Sequence, residues 1–236
     1  MGSSRFPGKP LAKICGRPMI EHVYRRCRMN SSLAGVYIAT CDREIAAATE
    51  AFGGTAVMTS TSHQRASDRV AEAAEQMDAD VIVMVQGDEP MIHPEMIGRA
   101  VNPLHEDPAI LCTNLAAPIR SIEEMTDPNT IKVVMARNGD ALYFSRRPIP
   151  SGSSEGLKQV CVIPFRREFL LRYAALEPTP LEIAESVDML RILEHGFKVR
   201  VVMTDHETHA VDTPADLTLV ERLIEVDPLA RSYGVS

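Results

Sequence analysis

The feature that most constrains the fold is an alternation of short apolar runs with amphipathic segments. The runs are rich in β-branched residues and predict buried strands over residues 35–40, 55–59, 81–86 and 198–204. Apolar residues spaced along one helical face predict helices at 19–27 and 70–77. This order indicates an α/β fold with right-handed crossovers and a mostly parallel, doubly wound sheet, whose ligands bind beyond the carboxyl ends of the strands.

The middle of the chain has a different pattern, because strand-like runs follow one another there without full helices between them. These runs cover residues 110–119, 131–137, 141–146 and 160–165. They predict a small antiparallel part at about 110–175 within a single domain over 1–236. Helices are expected at 167–175, 181–194 and 214–225, and a surface loop at 148–156.

Composition limits the class of partner. The formal net charge of -7 argues against a nucleic-acid partner, because a phosphate backbone requires an extended basic surface. No apolar run is long enough to span a membrane, and the start lacks the apolar stretch of a secretory signal, so a cytoplasmic protein is expected. The five cysteines show neither CxxC nor paired spacing, which predicts buried thiols rather than a metal or disulfide site.

A glycine- and proline-rich loop with two cations opens the chain, as Gly2-Ser3-Ser4-Arg5-Phe6-Pro7-Gly8-Lys9-Pro10. Small residues let backbone amides approach an anion, so Gly2, Ser3, Arg5 and Lys9 are candidates for binding a triphosphate. The loop is not a Walker A sequence, and a flexible terminus is the plainer interpretation. A doubly wound domain usually begins with a buried strand, so we expect one upstream of this loop.

Two aspartates follow strands in the order that a metal site at the sheet edge would require. Asp88 lies in the segment QGDEP after the run 81–86, and Asp212 begins DTPADL before the last helix. Carboxylates at this edge suit Mg²⁺, which prefers hard oxygen ligands shared with phosphate. The alternatives are a turn at Gly87 and capping of the last helix by Asp212 or Thr213.

Two further segments leave their roles open on spacing alone. Ser67 and Arg69 precede a helical pattern, where they can bind a base or phosphate or simply cap the helix. Glu182 and Glu185 lie on a helix and are typical of a solvated face. No Ser/His/Asp order, HExxH or Rossmann fingerprint appears, which disfavours hydrolase and dehydrogenase functions.

Taken together, the ordered segments resemble the 3-deoxy-manno-octulosonate cytidylyltransferases, within the wider group that includes acylneuraminate cytidylyltransferases. The segments that carry the resemblance are GSSRFPGKPL, QGDEP, DPNTIKVV at 127–134, ALYFSR at 141–146, PLE at 180–182, MLRIL at 189–193 and VDTPADL. The resemblance implies a glycosyltransferase-like α/β fold with an antiparallel dimerisation part, working as a homodimer. It also implies Mg²⁺-dependent transfer of CMP from CTP to a 3-deoxy sugar acid for lipopolysaccharide or surface polysaccharide synthesis.

The resemblance also implies roles for individual residues. Arg5, Lys9 and Asp88 would be catalytic, and Asp88 with Asp212 would bind Mg²⁺. Gly2, Ser3, Ser67 and Arg69 would join the two cations on the nucleotide. The sugar acid would be bound by Gln86, Arg146 and Glu182. Gln159, in a segment that departs from the family's pattern, is a further candidate for binding the sugar acid.

The sequence departs from the family's pattern in three places. The family's upstream strand ends in Pro-Ala-Arg before the phosphate loop, and its Ser-Gly-Thr is Arg65-Ala66-Ser67 here. A family stretch with His, Gly and two Tyr residues is QVCVIPF at 159–165. These departures leave two alternatives: a cytidylyltransferase for another sugar acid, such as an 8-amino octulosonate or a nonulosonate, or a non-catalytic nucleotide-binding relative.

Overall fold

The computed structural model describes residues 6–153 and 155–235. Contacts between Cα atoms divide the chain into two compact units. Unit 1 comprises residues 1–62, 86–98 and 208–236, and unit 2 comprises residues 63–85 and 99–207. The single domain over 1–236 stays a prediction.

Unit 1 is built on helices around two short pairs of strands. A 3-10 helix at Lys9–Leu11 leads into an antiparallel pair, and a parallel pair follows after the first helix. The elements are β1 (Lys13–Ile14), β2 (Arg17–Pro18), α1 (Met19–Arg28), β3 (Ile38–Thr40), α2 (Arg43–Ala51), β4 (Ala56–Met58), α9 (Pro214–Val226) and α10 (Pro228–Ser232). The predicted strands at 35–40 and 55–59 and the helix at 19–27 are therefore confirmed.

Unit 2 contains a five-stranded sheet in the order β11-β6-β9-β7-β8 and the antiparallel pair of β5 with β10. Its strands are β5 (Val81–Val85), β6 (Thr113–Pro118), β7 (Lys132–Met135), β8 (Ala141–Ser145), β9 (Leu157–Val160), β10 (Val162–Arg166) and β11 (Arg200–Met203). Its helices are α3 (Ala66–Glu75), α5 (Ile122–Thr126), α6 (Arg167–Ala174), α7 (Pro180–Glu185) and α8 (Met189–Glu194), while α4 (Pro94–Glu106) contains a boundary between the units.

The predicted α/β architecture and its antiparallel middle are confirmed. Among the described residues, the parallel strand pairs are β3 with β4 and β6 with β11. The other described strand pairs are antiparallel, so the expectation of a mostly parallel sheet is corrected to a mixed one. The core of unit 2 is formed where β5, β6 and β10 pack with α3, α6 and α8, around fully buried Phe165, Leu170 and Leu190. No described helix is both long and apolar enough to cross a membrane.

The single helix predicted at 181–194 is wrong in one respect, because the structure divides it into α7 and α8. Ser186 adopts a left-handed backbone with φ of 55°, and the amide of Val187 donates to the carbonyl of Glu182 to close α7. Val187 is itself buried in the core of unit 2, so tertiary packing stabilises the break. The break brings Asp188 to the start of α8.

Candidate functional site

Lys9 is held in a tight turn at the start of the described chain. Gly8 adopts a left-handed backbone with φ of 73°, which a residue with a side chain rarely accepts. Pro10 then stabilises the short 3-10 helix, and the amide of Lys9 donates to the carbonyl of Phe6 at 3.2 Å. The turn leaves the Lys9 side chain only 11% exposed. Gly2, Ser3 and Arg5, also predicted to bind nucleotide, lie outside the described residues.

Asp88 and Asp212 meet at the ammonium of Lys9. The Lys9 Nζ donates to Asp88 Oδ2 at 2.8 Å and to Asp212 Oδ1 at 3.3 Å. The sum of those distances, about 6 Å, is the upper limit for the separation of the two carboxylate oxygens. Residues far apart in the sequence thus form one group within unit 1, called here the Lys9 cluster.

The backbone around the Lys9 cluster explains why Asp212 is available for it. The amide of Val211 donates to the carbonyl of Asp88 at 2.9 Å, which joins the two aspartate segments directly. Thr213 is the N-cap of α9 and forms a capping box with Asp216, so Asp212 is not needed as a cap. Beneath these segments, Val211 is fully buried in an apolar cluster with Ile14 and Met19.

The electrostatics of the Lys9 cluster are those of one ammonium between two carboxylates. Burial lowers the pKa of Lys9, but attraction and hydrogen bonds from Asp88 and Asp212 outweigh burial and raise that pKa above its ordinary value. Lys9 is therefore cationic at neutral pH. One ammonium faces two carboxylates whose side chains are 23% and 24% exposed, so a further cation can reach them.

The segment before Asp88 is closely packed on α1. A Cβ atom added to Gly87 would lie 2.7 Å from Cδ1 of Ile20, so a larger residue would push on the turn that carries Asp88. Gln86, predicted to bind the sugar acid, is half-buried in the same segment. Gln86, Asp88 and Asp212 thus all belong to unit 1 with Lys9.

A second group, which includes the predicted residues Ser67 and Glu182, lies in unit 2 and forms a charged network where α3, α7 and α8 begin. We call it the Asp188 network, and its members are Arg65, Ser67, Asp68, Glu182, Asp188 and Arg191. Arg191 donates to both oxygens of Glu182 at 2.7 Å and to Asp68 at 2.9 Å. Glu182 is 1% exposed and Arg191 3% exposed, so this ion pair is fully internal.

The network engages Ser67 as well. Its hydroxyl donates to Asp188 Oδ2 at 2.7 Å, and the Ser67 side chain is fully buried. Burial raises the pKa of Asp188 above its ordinary value, although hydrogen bonds from Ser67 oppose this shift. Arg69, predicted to bind the nucleotide with Ser67, is half-buried on α3.

Arg146, another predicted sugar contact, is bound to backbone carbonyls. Its guanidinium donates to the carbonyls of Glu185 at 2.6 Å, Pro128 at 2.9 Å and Ser186 at 3.3 Å. Glu185 in return accepts from the amide of Arg146 at 2.7 Å and from Ser145 Oγ at 3.1 Å. The interpretation of Glu185 as a solvated residue is therefore wrong, because its carboxylate fastens the end of β8 to α7.

Gln159 pairs with a buried amide on the neighbouring strand. Its Nε2 donates to Oδ1 of Asn114 at 2.5 Å, and Asn114 is 1% exposed. Asn114 uses its own Nδ2 to donate to the carbonyls of Leu115 and Val160. The side chain of Gln159, a predicted sugar contact, is thus held by Asn114, whose own amide donors are already hydrogen-bonded to the backbone.

Sequence analysis did not identify Asp188, Arg191 or Asn114. Arg191 sits in the MLRIL segment, where helical periodicity makes a charged residue look solvated, and Asn114 lies inside a strand-like run. A polar residue in the middle of an otherwise apolar run is the signal that could have found Asn114, because such a group is rarely buried without a partner. Asp188 gave no such signal, since its role depends on the break after α7.

Comparison with solved structures first defines the class of fold. The 4-diphosphocytidyl-2C-methyl-D-erythritol synthase from Anaerococcus prevotii is 13% identical, with a TM-score of 0.65 over 92% of this chain and 93% of that one. The chain therefore shares the α/β fold of that protein. A CMP:2-keto-3-deoxy-manno-octonic acid synthetase complexed with CTP is 40% identical, with a TM-score of 0.87 over 94% of both chains.

Sequence comparison then gives the family. A model described as cytidylyltransferase matches residues 1–207. The 3-deoxy-manno-octulosonate cytidylyltransferase of Geobacter metallireducens is 46% identical over 94% of this chain and 93% of its own. That of Geotalea daltonii is 48% identical over 94% of both. The chain belongs to the cytidylyltransferase family, in the group of the 3-deoxy-manno-octulosonate cytidylyltransferases.

Proposed function

We propose that this protein transfers CMP from CTP to the anomeric hydroxyl of 3-deoxy-manno-octulosonate and releases pyrophosphate, for lipopolysaccharide or surface polysaccharide synthesis. The observation that carries the proposal is the Lys9 cluster, in a chain that matches relatives named for this activity along nearly their whole length. The hydroxyl oxygen would form a bond to the α-phosphorus while the bond from that phosphorus to the bridging oxygen breaks. The hydroxyl proton leaves to solvent.

The Lys9 cluster fits a divalent cation. Two carboxylates lie together at one ammonium and are each about a quarter exposed, and hard oxygen atoms of this kind are the ligands that Mg²⁺ prefers. Asp88 and Asp212 would hold Mg²⁺ together, and when bound it would neutralise charge on the triphosphate. The partial exposure of both carboxylates leaves room for phosphate oxygens beside them.

Lys9 itself would bind the phosphates of CTP. Its raised pKa keeps the ammonium charged at neutral pH, and a fixed cation stabilises the charge that develops as pyrophosphate leaves. Arg5 is proposed as the second cation of the same loop, with Gly2 and Ser3 supplying backbone amides to the anion. Positioning and charge neutralisation then carry the reaction, and no covalent enzyme intermediate is required.

In unit 2, Arg69 and the segment around Ser67 are proposed to bind the nucleotide. Gln159 is proposed to bind the sugar acid, together with Gln86 of unit 1. Arg146 and Glu182 are proposed to serve sugar-acid binding indirectly, by holding backbone segments and a helix start in place. Their own polar atoms already bind protein groups. The Gln159–Asn114 pair presents a neutral amide rather than an ionisable group to the substrate.

A cytoplasmic homodimer is the proposed form of the enzyme. Leu142 on β8 is 62% exposed and Met135 on the adjacent β7 is 40% exposed, although both are apolar. β8 is an edge strand of the five-stranded sheet, and exposed apolar side chains at an edge are typical of a contact surface. A second copy of the chain is the partner we propose for this surface.

The proposal is tested by pyrophosphate release from CTP and from UTP with a panel of sugar acids. We expect Mg²⁺-dependent release with CTP and 3-deoxy-manno-octulosonate, and formation of the CMP-sugar by mass spectrometry. Higher kcat/KM for an 8-amino octulosonate or a nonulosonate would assign a different sugar acid. CTP binding without release for any acid of the panel would contradict catalysis and favour a nucleotide-binding relative.

A further inference from the structure

The start of α3 lacks a cap of its own. Its N-cap residue is Arg65, whose side chain makes no capping hydrogen bond. The first amides of a helix have no partner within the helix and require an acceptor from elsewhere. The segment 65–69 that contains this start is the one in which Ser67 and Arg69 are proposed to serve CTP.

Asp188 supplies the missing acceptor from another helix. Its Oδ2 accepts from the Ser67 amide at 3.1 Å and from the Ser67 hydroxyl at 2.7 Å. Asp188 is the N-cap residue of α8, yet its side chain makes no capping hydrogen bond to α8. The carboxylate therefore serves α3 rather than the helix to which it belongs.

The Ser67 side chain has no donor left for a ligand. Its side chain is fully buried, and its hydroxyl proton is directed to Asp188. A contact from CTP to this segment must therefore come from other atoms, such as the half-buried Arg69. Asp68, between these two residues, is held by Arg191 of α8 at 2.9 Å. Two consecutive residues of α3 are thus fastened to α8.

We propose that Asp188 is a positioning residue for CTP binding, which acts through Ser67 to hold the first turn of α3 in the orientation that the nucleotide requires. This inference rests on the proposed function and deepens it. Ser67 serves the nucleotide indirectly, as the link between Asp188 and the α3 start. Binding of the sugar acid should depend much less on Asp188. The Asp188 carboxylate makes no hydrogen bond to its own helix, and the Glu182–Arg191 pair remains in place without it.

The test compares Asp188→Ala with Asp188→Asn. Alanine removes the acceptor, whereas asparagine keeps one oxygen, and both bonds from Ser67 go to a single oxygen. Losing a cap displaces the helix start, so we expect the CTP dissociation constant of Asp188→Ala to rise about tenfold. Asp188→Asn should stay within about threefold of the unchanged protein. Calorimetric titration with CTP and Mg²⁺, without sugar acid, measures these constants.

Kinetics separate positioning from general loss of structure. For Asp188→Ala the KM for CTP should rise while the KM for 3-deoxy-manno-octulosonate changes less than about twofold. The matched control is Asp140→Asn, because Asp140 is also an ion-paired aspartate of unit 2, at 2.9 Å from Arg200 and 11% exposed. This control should leave both KM values unchanged.

Ser67→Ala gives a second route if Asp188→Ala does not fold, and it should raise the CTP dissociation constant about threefold to fivefold. The inference is overturned if the foldable variants among Asp188→Ala and Ser67→Ala bind CTP as the unchanged protein does, or if the two KM values rise equally. Failure of the unchanged protein to bind CTP would overturn the proposed function as well. Normal binding there with no effect of the variants would overturn the inference alone.

Discussion

The Lys9 cluster and the Asp188 network are both groups of charged residues, but they differ in how their charge is satisfied. In the Lys9 cluster two carboxylates share one ammonium, and both remain about a quarter exposed. In the Asp188 network, both carboxylate oxygens of Glu182 accept hydrogen bonds from Arg191, and the Glu182 side chain is 1% exposed. The carboxylates of the first group are accessible to a ligand, whereas those of the second are hydrogen-bonded to protein groups inside the fold.

The exposure of the carboxylates and the number of protein groups bound to them distinguish a ligand site from a structural support here. A buried carboxylate without compensation is costly, so its partners are built into the protein when its role is internal. The α3 amide of Ser67 and the guanidinium of Arg65, 3.9 Å from Asp188, are such partners. Asp88 and Asp212 instead lie close together and partly exposed, where a bound divalent cation can relieve their mutual repulsion.

The largest expected effect is on activity, from neutralising the Lys9 cluster. Asp88→Asn or Asp212→Asn should lower kcat/KM for CTP by about 10²- to 10³-fold, as removal of one charge-stabilising group typically does. Thermal unfolding should change little, because both side chains are partly exposed. The control is Asp205→Asn, whose side chain is 91% exposed. Near-normal turnover by both cluster variants would mean that the Lys9 cluster is a structural support, as the Asp188 network is.

The next effect is on stability, from breaking the Asp188 network. Glu182→Gln leaves the buried Arg191 with the partly exposed Asp68 as its remaining carboxylate, so we expect a loss of about 1–3 kcal/mol in the free energy of unfolding. Urea denaturation measures this loss. Turnover per folded molecule should fall far less than in Asp88→Asn. A stable Glu182→Gln protein that has lost activity would instead place Glu182 in direct contact with substrate.

A smaller effect is expected from the close approach of Gly87 to Ile20. Gly87→Ala would place a methyl group 2.7 Å from Cδ1 of Ile20 and shift the turn that carries Asp88, lowering kcat/KM about threefold to tenfold. The double variant Gly87→Ala/Ile20→Val removes that Cδ1 atom and should recover most of the activity. No recovery in steady-state assays would mean that the glycine acts in another way.

The smallest effect is the pH dependence of Lys9. Its pKa is raised in the folded protein, so its contribution to stability is complete below the ordinary value and is lost as pH rises through the raised value. The difference in unfolding free energy between the unchanged protein and Lys9→Met should therefore be constant from about pH 6 to about pH 9. It should shrink only in more alkaline solution. A decrease near pH 8, measured by urea denaturation, would contradict the charge balance given for the cluster.

The sequence predicted the strands at 35–40, 55–59 and 81–86 because their apolar, β-branched composition is a local property. It also placed Asp88 and Asp212 after strands, and the structure brings them together at Lys9. It could not predict the break between α7 and α8, since Ser186 adopts its left-handed backbone where Val187 is buried in the core. The partners of Glu182, Glu185 and Ser67 depend on that break and were out of reach for the same reason.

The central claim is that Asp88 and Asp212 jointly hold the divalent cation that accompanies CTP. The most direct measurement is a titration of Mn²⁺ in place of Mg²⁺, followed by electron paramagnetic resonance in the presence of CTP. With the unchanged protein, the signal of free Mn²⁺ should fall well below its level with CTP alone. With Asp88→Asn and with Asp212→Asn it should return toward the level with CTP alone. Equal depletion of free Mn²⁺ by the unchanged protein and by both variants would contradict the account.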